Sequence, residues 1–157
     1  MKQIGKIIAA GALVLSAWAG TAEAKEIKVG VVNLSLCCAY FVGMDAAIKD
    51  EAKAFPNVKV LSTDAKGDVA KLTSNVEDLL SQKVDGLIIS GAWIEAAPEA
   101  LDAIKAANLP VVLVDRQLKG GDFTSWIGPD NAAIGAGIGE YIVKRTGGKG
   151  TLVVLRG

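Results

Sequence analysis

Four short segments of this chain, Ile27 to Val32, Val84 to Ser90, Val111 to Val114 and Thr151 to Leu155, are nearly continuous aliphatic runs. A strand with one face in water alternates apolar and polar side chains, so a run without alternation needs cover on both faces. The intervening segments supply that cover. Met44, Ile48, Ala52 and Phe55 share one face of a helix read from Phe41 to Phe55, and Val69, Leu72, Val76, Leu79 and Leu80 form the stripe of a second, with Asp68 as its N-cap. Ile94, Ala97, Leu101, Ile104 and Ala107 form the stripe of a third, closed by Asn108 and Pro110. Val58 to Leu61 and Ser125 to Ile127 read as two further strands, and Asn131 to Arg145 as a last helix ended by Gly147-Gly148. Strand and helix alternate with short connections, so the fold class is α/β: a doubly wound, mostly parallel sheet with helices on both faces.

The first two dozen residues stand outside this pattern. Lys2 and Lys6 precede an apolar segment from Ile7 to Ala19, and Ala22-Glu23-Ala24 is a small-x-small cleavage signal, so residues 1–24 read as an export signal peptide. The apolar run is well short of the ~20 residues that span a bilayer. Taking two Lys and one Glu from totals of 17 basic and 17 acidic residues leaves 15 against 16 in the mature chain. No cationic excess exists to hold nucleic acid or an anionic membrane. The sequence has no histidine, which removes His-dependent triads and His-ligated metal sites from what this chain does alone. No catalytic residue, cofactor or metal is expected.

In doubly wound sheets ligands sit beyond the carboxyl ends of the strands. Those ends carry Asn33, Ser35, Cys37, Cys38, Tyr40 and Phe41 after the first strand, Asp64 after the second, and Ser90 and Trp93 after the third. Asp115, Arg116 and Gln117 follow the fourth, and Asp130 and Asn131 the fifth. Aromatic faces beside paired carboxylate and guanidinium groups suit a polyhydroxylated ligand, whose C–H patches stack on rings while its hydroxyls take charged hydrogen-bond partners.

Several ordered motifs carry a resemblance. Val31-Val32-Asn33-Leu34-Ser35 precedes an aromatic pair. Leu72-x-x-x-Val76-Glu77-Asp78-Leu79-Leu80 leads into Val84-Asp85-Gly86-Leu87-Ile88-Ile89, and Leu109-Pro110-Val111-Val112-Leu113-Val114-Asp115-Arg116 follows. Gly128-Pro129-Asp130-Asn131 and Gly147-Gly148-Lys149-Gly150 complete the series. From Ile27 to Gly157 the chain resembles the N-terminal lobe of a periplasmic sugar-binding protein of the ribose-binding type, the soluble receptor of an ABC importer and a relative of the LacI repressor core. The resemblance implies a domain layout of signal peptide over 1–24 and N-terminal lobe over 25–157, with Gly157 near the hinge into a second lobe that binding by closure requires. It implies that Asp115 and Arg116 hydrogen-bond sugar hydroxyls, that Tyr40 and Phe41 pack on the ring, and that Asn33 and Ser35 add polar contacts. Trp93 has no firm counterpart in that pattern; its place beyond the third strand makes it a candidate for stacking on the ring.

Where many relatives have Asn-Pro, this chain reads Leu36-Cys37-Cys38-Ala39. Three states are open to the pair: two free thiols, a ligand-facing vicinal disulfide in a strained ring, or a soft-metal site that two thiolates would serve poorly. Other motifs carry less. Gly135-Ala136-Gly137-Ile138-Gly139 lies inside a helical pattern, where close packing on the sheet explains it better than a dinucleotide. Gly147 to Thr151 precedes its strand and ends a helix. Asn33-Leu34-Ser35 is formally a glycosylation sequon, and Glu77-Asp78 is a solvated face.

The resulting expectation is a monomeric periplasmic receptor that traps a monosaccharide or similar polyol and hands it to an ABC permease and its ATPase, with a chemoreceptor as a further partner. The alternatives are a LacI-type ligand-sensing core or a chemoreceptor-linked sensor. An α/β enzyme would need a phosphate loop or a Gly-x-Ser-x-Gly elbow, and neither is present.

Overall fold

The computed structural model describes residues 24–120 and 123–155. Apart from Ala24, the expected signal peptide lies outside the described residues. Five strands form one parallel sheet: β1 (Ile27–Asn33), β2 (Val58–Asp64), β3 (Gly86–Ser90), β4 (Val111–Val114) and β5 (Ser125–Ile127). Their spatial order is β2-β1-β3-β4-β5. The helices are α1 (Ala39–Ala52), α2 (Val69–Ser81), α3 (Pro98–Ala107) and α4 (Asn131–Thr146), with a short 3-10 helix at Ala92–Ala96. The chain steps one way from β1 to β2 and the other way from β2 to β3. The connections therefore diverge above β1 and β3, where Asn33 and Ser90 pair at the strand ends.

Side-chain alternation sorts the sheet into two unequal faces. Val32, Leu87, Ile89, Val111 and Leu113 pack with Leu72, Val76 and Leu79 of α2 and Ala100 and Ile104 of α3 in the buried core. Each fully buried leucine or isoleucine there contributes about 1.5–3 kcal/mol. The opposite face carries Val29, Val60, Ile88 and Val114, which meet Met44, Ile48 and Ala52 of α1 and Phe55 just beyond its end along an apolar groove of about 430 Å³. The stripe read for the first helix thus faces the sheet but is not sealed: Phe55 is exposed and the only buried residue of α1 is Asp45.

Helix ends follow from local chemistry. The Asp68 carboxylate accepts from the Lys71 N–H at 2.8 Å and starts α2 as expected. The helix read from Ile94 to Ala107 is broken in two. Pro98 cannot donate to the preceding turn, so it opens α3 at its first position and leaves Ala96 as the end of the 3-10 helix. Asn108 closes α3 in the left-handed conformation at φ 50°.

Beyond β5 the structure departs from expectation. Asp130 caps α4 through the Ala133 N–H at 2.9 Å, and Gly147 ends it, yet α4 has no buried residue. A side chain at Gly135, Gly137 or Gly139 would meet nothing within 4 Å, so these glycines do not serve close packing against any described element. The sixth strand expected at Thr151 to Leu155 is not formed, and Leu155 is 93% exposed. A strand needs an edge to pair with, and a helix that does not fold back onto the sheet cannot return the chain to the β5 edge.

Candidate functional site

The site is built where β3, β4 and β5 end. Gly91, at φ 77°, donates its N–H to the Val114 carbonyl at 2.8 Å and ties the exits of β3 and β4 together. Asp115 then adopts φ 76°, a left-handed conformation that is costly for a residue with a Cβ. Two bonds from β5 hold it there: its N–H donates to the Ile127 carbonyl at 2.9 Å, and the Trp126 indole N–H donates to its carbonyl at 3.4 Å. Gly128 follows directly. A Cβ on it would strike the Asp115 carbonyl and come within 2.7 Å of the Trp126 ring, so only glycine fits this close approach.

The turn presents a cluster of polar and aromatic groups. The Tyr40 hydroxyl donates to Asp115 Oδ1 at 3.4 Å, and Arg116 Nε lies 3.8 Å from Asp115 Oδ2. Partial burial and then the adjacent Asp115 charge hold the Tyr40 hydroxyl above the usual phenol range, so it stays a donor. The Arg116 guanidinium sits 5.3 Å from the centroid of the Trp93 ring, a cation–π arrangement. Tyr40 and Phe41 meet edge to face with centroids 5.3 Å apart. Two hollows flank these contacts. One, of about 170 Å³, is lined by Leu34, Ser35, Cys37, Phe41, Ser90 and Trp93. The other, of about 390 Å³, is lined by Asp115, Arg116, Gln117 and Trp126 with Pro129, Asp130 and Asn131.

Six of the residues singled out from sequence, Ser35, Tyr40, Phe41, Trp93, Asp115 and Arg116, thus converge. Asn33 does not join them. It is 1% exposed, and its amide N–H groups donate to the Thr63 carbonyl at 3.1 Å and towards Ser62 and Asp45 at 3.4 Å. Its amide nitrogen is thus committed to the fold, while its Oδ1 is buried without a hydrogen-bond partner among the described residues. Nothing in the sequence marks its partner Asp45 as buried; the four-residue spacing to Lys49 is the one local sign of a pair. Lys49 Nζ lies 2.6 Å from Asp45 Oδ2, and the Ser62 hydroxyl donates to Oδ1. Burial opposes ionisation of Asp45, but the Lys49, Ser62 and Asn33 donors outweigh it and hold the carboxyl below its usual range. Asp64 accepts from the Leu36 and Lys66 N–H groups and shapes the loops rather than the site. Trp126, which lines the second hollow, shows in sequence only as part of a strand.

Cys37 and Cys38 are free, exposed thiols. Cys38 occupies the N-cap of α1 with extended backbone and no side-chain cap hydrogen bond; the nearby Phe41 N–H and Cys37 thiol, and less so the Tyr40 N–H, lower its thiol below the usual range against the opposing effect of burial. No group of three His, Cys, Asp or Glu side chains able to hold a metal ion occurs among the described residues.

Comparison with known proteins gives these observations a family. The periplasmic binding protein domain matches residues 29–157. The ribose import binding protein RbsB of Bacillus subtilis is 32% identical over 133 residues, covering 85% of this chain and 43% of the relative. The xylitol-binding protein of Mycolicibacterium smegmatis is 28% identical over 162 residues, covering 99% and 45%. Among solved structures, the fructose-binding periplasmic domain of a hybrid two-component system superposes with TM-score 0.68 at 32% identity, over 79% of this chain and 41% of that one. The chain therefore spans less than half the length of each of these relatives. With a parallel sheet of the same architecture and a family match over most of its length, the chain belongs to the periplasmic binding protein domain family.

Proposed function

We propose that this chain supplies one wall of a receptor cleft that binds a monosaccharide or similar polyol for an ABC importer. The observation that carries the reading is the Asp115–Arg116 turn, held by β5 and faced by Tyr40 and Trp93. Charged groups of both signs beside aromatic rings match a ligand with alternating hydroxyl and C–H surfaces. The names of the relatives, ribose, xylitol and fructose binders, fall in the same ligand class. Recognition of this kind needs no covalent step, and no enzymatic role is assigned to the chain. A ligand lacking one matched hydroxyl would leave a buried partner unpaired, at a cost of about 1–3 kcal/mol.

The packing supports a division of the chain at the end of β5. The lobe expected over residues 25–157 would then end with β5: the sheet occupies residues 27–127, and α4, without a buried residue, would begin a second unit whose surface completes the cleft. Cleavage of the export signal read over residues 1–24 would put the receptor in the periplasm, with a permease and its ATPase as its proposed partners. A sensor role is the second reading, favoured by the likeness to a periplasmic domain of a hybrid two-component system.

Calorimetry on the full-length protein with ribose, xylitol, fructose and xylose tests the proposal. Saturable binding of at least one, lost in Asp115→Ala and in Arg116→Ala while the circular dichroism spectrum is kept, is the expected result. Unchanged affinity in either variant would remove the β4 turn from the site, and no binding to any sugar or polyol would sink the receptor reading.

A further inference from the structure

Helix α1 carries Tyr40 and Phe41 to the strand ends, yet little apolar packing fixes where it lies. Its stripe of Met44, Ile48 and Ala52 faces the open groove of about 430 Å³ along the sheet. At its head Cys38 makes no side-chain cap hydrogen bond. Hydrophobic contact is non-directional, so a helix over an unsealed groove can turn or slide at little cost. Hydrogen bonds are directional and do fix its rotation. The buried residue of α1 is a polar one, Asp45, 6% exposed. Its Oδ1 accepts from the Ser62 hydroxyl of β2 and from the Asn33 amide of β1 at 3.4 Å, and the same amide donates to the Thr63 carbonyl at 3.1 Å. One carboxylate oxygen thus ties α1 to both strands. Phe41 stands one turn before Asp45 on the same side of the helix, with Tyr40 next to it.

We propose that Asp45 is a positioning residue for the cleft: through Ser62 and Asn33 it sets the rotation of α1 on the sheet, and so where Tyr40 and Phe41 stand against the Asp115 turn. The Tyr40 hydroxyl reaches Asp115 Oδ1 at 3.4 Å, already long for a hydrogen bond. A side-chain tip lies about 6 Å from a helix axis, so a rotation of about 20° carries it about 2 Å. Such a step parts Tyr40 from Asp115 and shifts Phe41 in the hollow it shares with Ser90 and Trp93. Removing the Asp45 acceptor releases that rotation, because Met44 and Ile48 on the open groove do not resist it. Asp45 is itself buried and acts through the two rings rather than on the ligand. The effect on affinity rests on the receptor reading; the placing of Tyr40 does not.

The test uses the full-length protein with fluorotyrosine incorporated. The fluorine resonance of Tyr40, assigned by its loss in Tyr40→Phe, reports the contact with Asp115. Asp45→Ala should move that resonance and weaken sugar binding by about ten-fold. Ser62→Ala removes the same bond from the sheet side at less risk to folding; it should move the resonance the same way and weaken binding by about three-fold. Asp45→Asn keeps an oxygen for the Ser62 hydroxyl, so it should hold the resonance and stay within about two-fold of wild-type affinity. Ile104→Ala loses comparable stability from the other face of the sheet and should change neither. An unmoved resonance in both Asp45→Ala and Ser62→Ala, an equal shift in Ile104→Ala, or a loss in Asp45→Asn as large as in Asp45→Ala would overturn the assignment. A moved resonance with unchanged sugar affinity would overturn the effect on the cleft. If the wild-type protein binds no sugar, the receptor reading fails while the resonance still decides whether Asp45 places Tyr40.

Discussion

Asp115 combines the proposed recognition carboxylate with a costly backbone, and replacing it by either of two small residues separates the two. At φ 76° an alanine bears the steric cost of the left-handed region, whereas glycine does not. The contacts its carboxylate makes within the protein are long, 3.4 Å to the Tyr40 hydroxyl and 3.8 Å to Arg116 Nε, and Arg116 is itself well exposed. Contacts of that length at a solvent edge contribute little to folding. Asp115→Gly should therefore leave stability within about 1 kcal/mol of wild type, offsetting lost strain against a more flexible unfolded chain. Asp115→Ala should be less stable than Asp115→Gly by about 1 kcal/mol. Both remove the same charged hydrogen-bond acceptor, so both should lose about 1.5–3 kcal/mol of sugar affinity, roughly ten- to 150-fold in Kd. Urea midpoints and calorimetry on the full-length protein read the two quantities independently. If Asp115→Ala is as stable as Asp115→Gly, the turn does not constrain the backbone as described; if their affinities differ widely, the carboxylate is not what both have lost.

Packing and charge set three further outcomes. Gly128→Ala should cost about 1–3 kcal/mol and weaken sugar binding together, because its Cβ collides with the Asp115 carbonyl and the Trp126 ring; a neutral variant would refute the close approach. Asp45→Ala strands the Ser62 and Asn33 donors and should cost about 2–3 kcal/mol, while Lys49→Ala, at a side chain 47% exposed, should cost under about 1 kcal/mol. Because the folded carboxyl of Asp45 titrates below its unfolded value of about 3.9, its contribution is complete above that pH and lost as pH falls through the folded value. Asp45→Asn should accordingly flatten the decline in the urea midpoint below about pH 4, and a decline as steep as in wild type would contradict the network.

Much of this was legible in side-chain pattern. Non-alternating aliphatic runs marked β1, β3 and β4 because burial on both faces leaves no room for polar residues, and Asp68, Asn108 and Gly147 marked helix ends because their backbone chemistry is local. The meeting of Asp115 and Arg116 with Tyr40 and Trp93 followed from one rule about strand ends. What escaped depends on contacts distant in sequence. Asn33 stands at a strand end like Ser90, and only the partners Ser62, Thr63 and Asp45, brought in from β2 and α1, turn it inward. The Thr151–Leu155 run has the composition of a strand, but composition does not say whether an edge is within reach.

The short strand β5 has a consequence beyond completing the sheet. Its three residues hold Asp115 through the Ile127 carbonyl and the Trp126 indole, and the next residue, Gly128, leaves the sheet while touching the same Asp115 carbonyl. The carboxylate and the departing chain are thus mechanically in series, linked through a single turn. A rotation of the segment leading to α4 would load the Ile127–Asp115 bond first, because Gly128 touches the Asp115 carbonyl and α4 has no buried residue. Under the proposed receptor reading, a ligand held at Asp115 and the direction in which the chain leaves β5 would be coupled through this one turn.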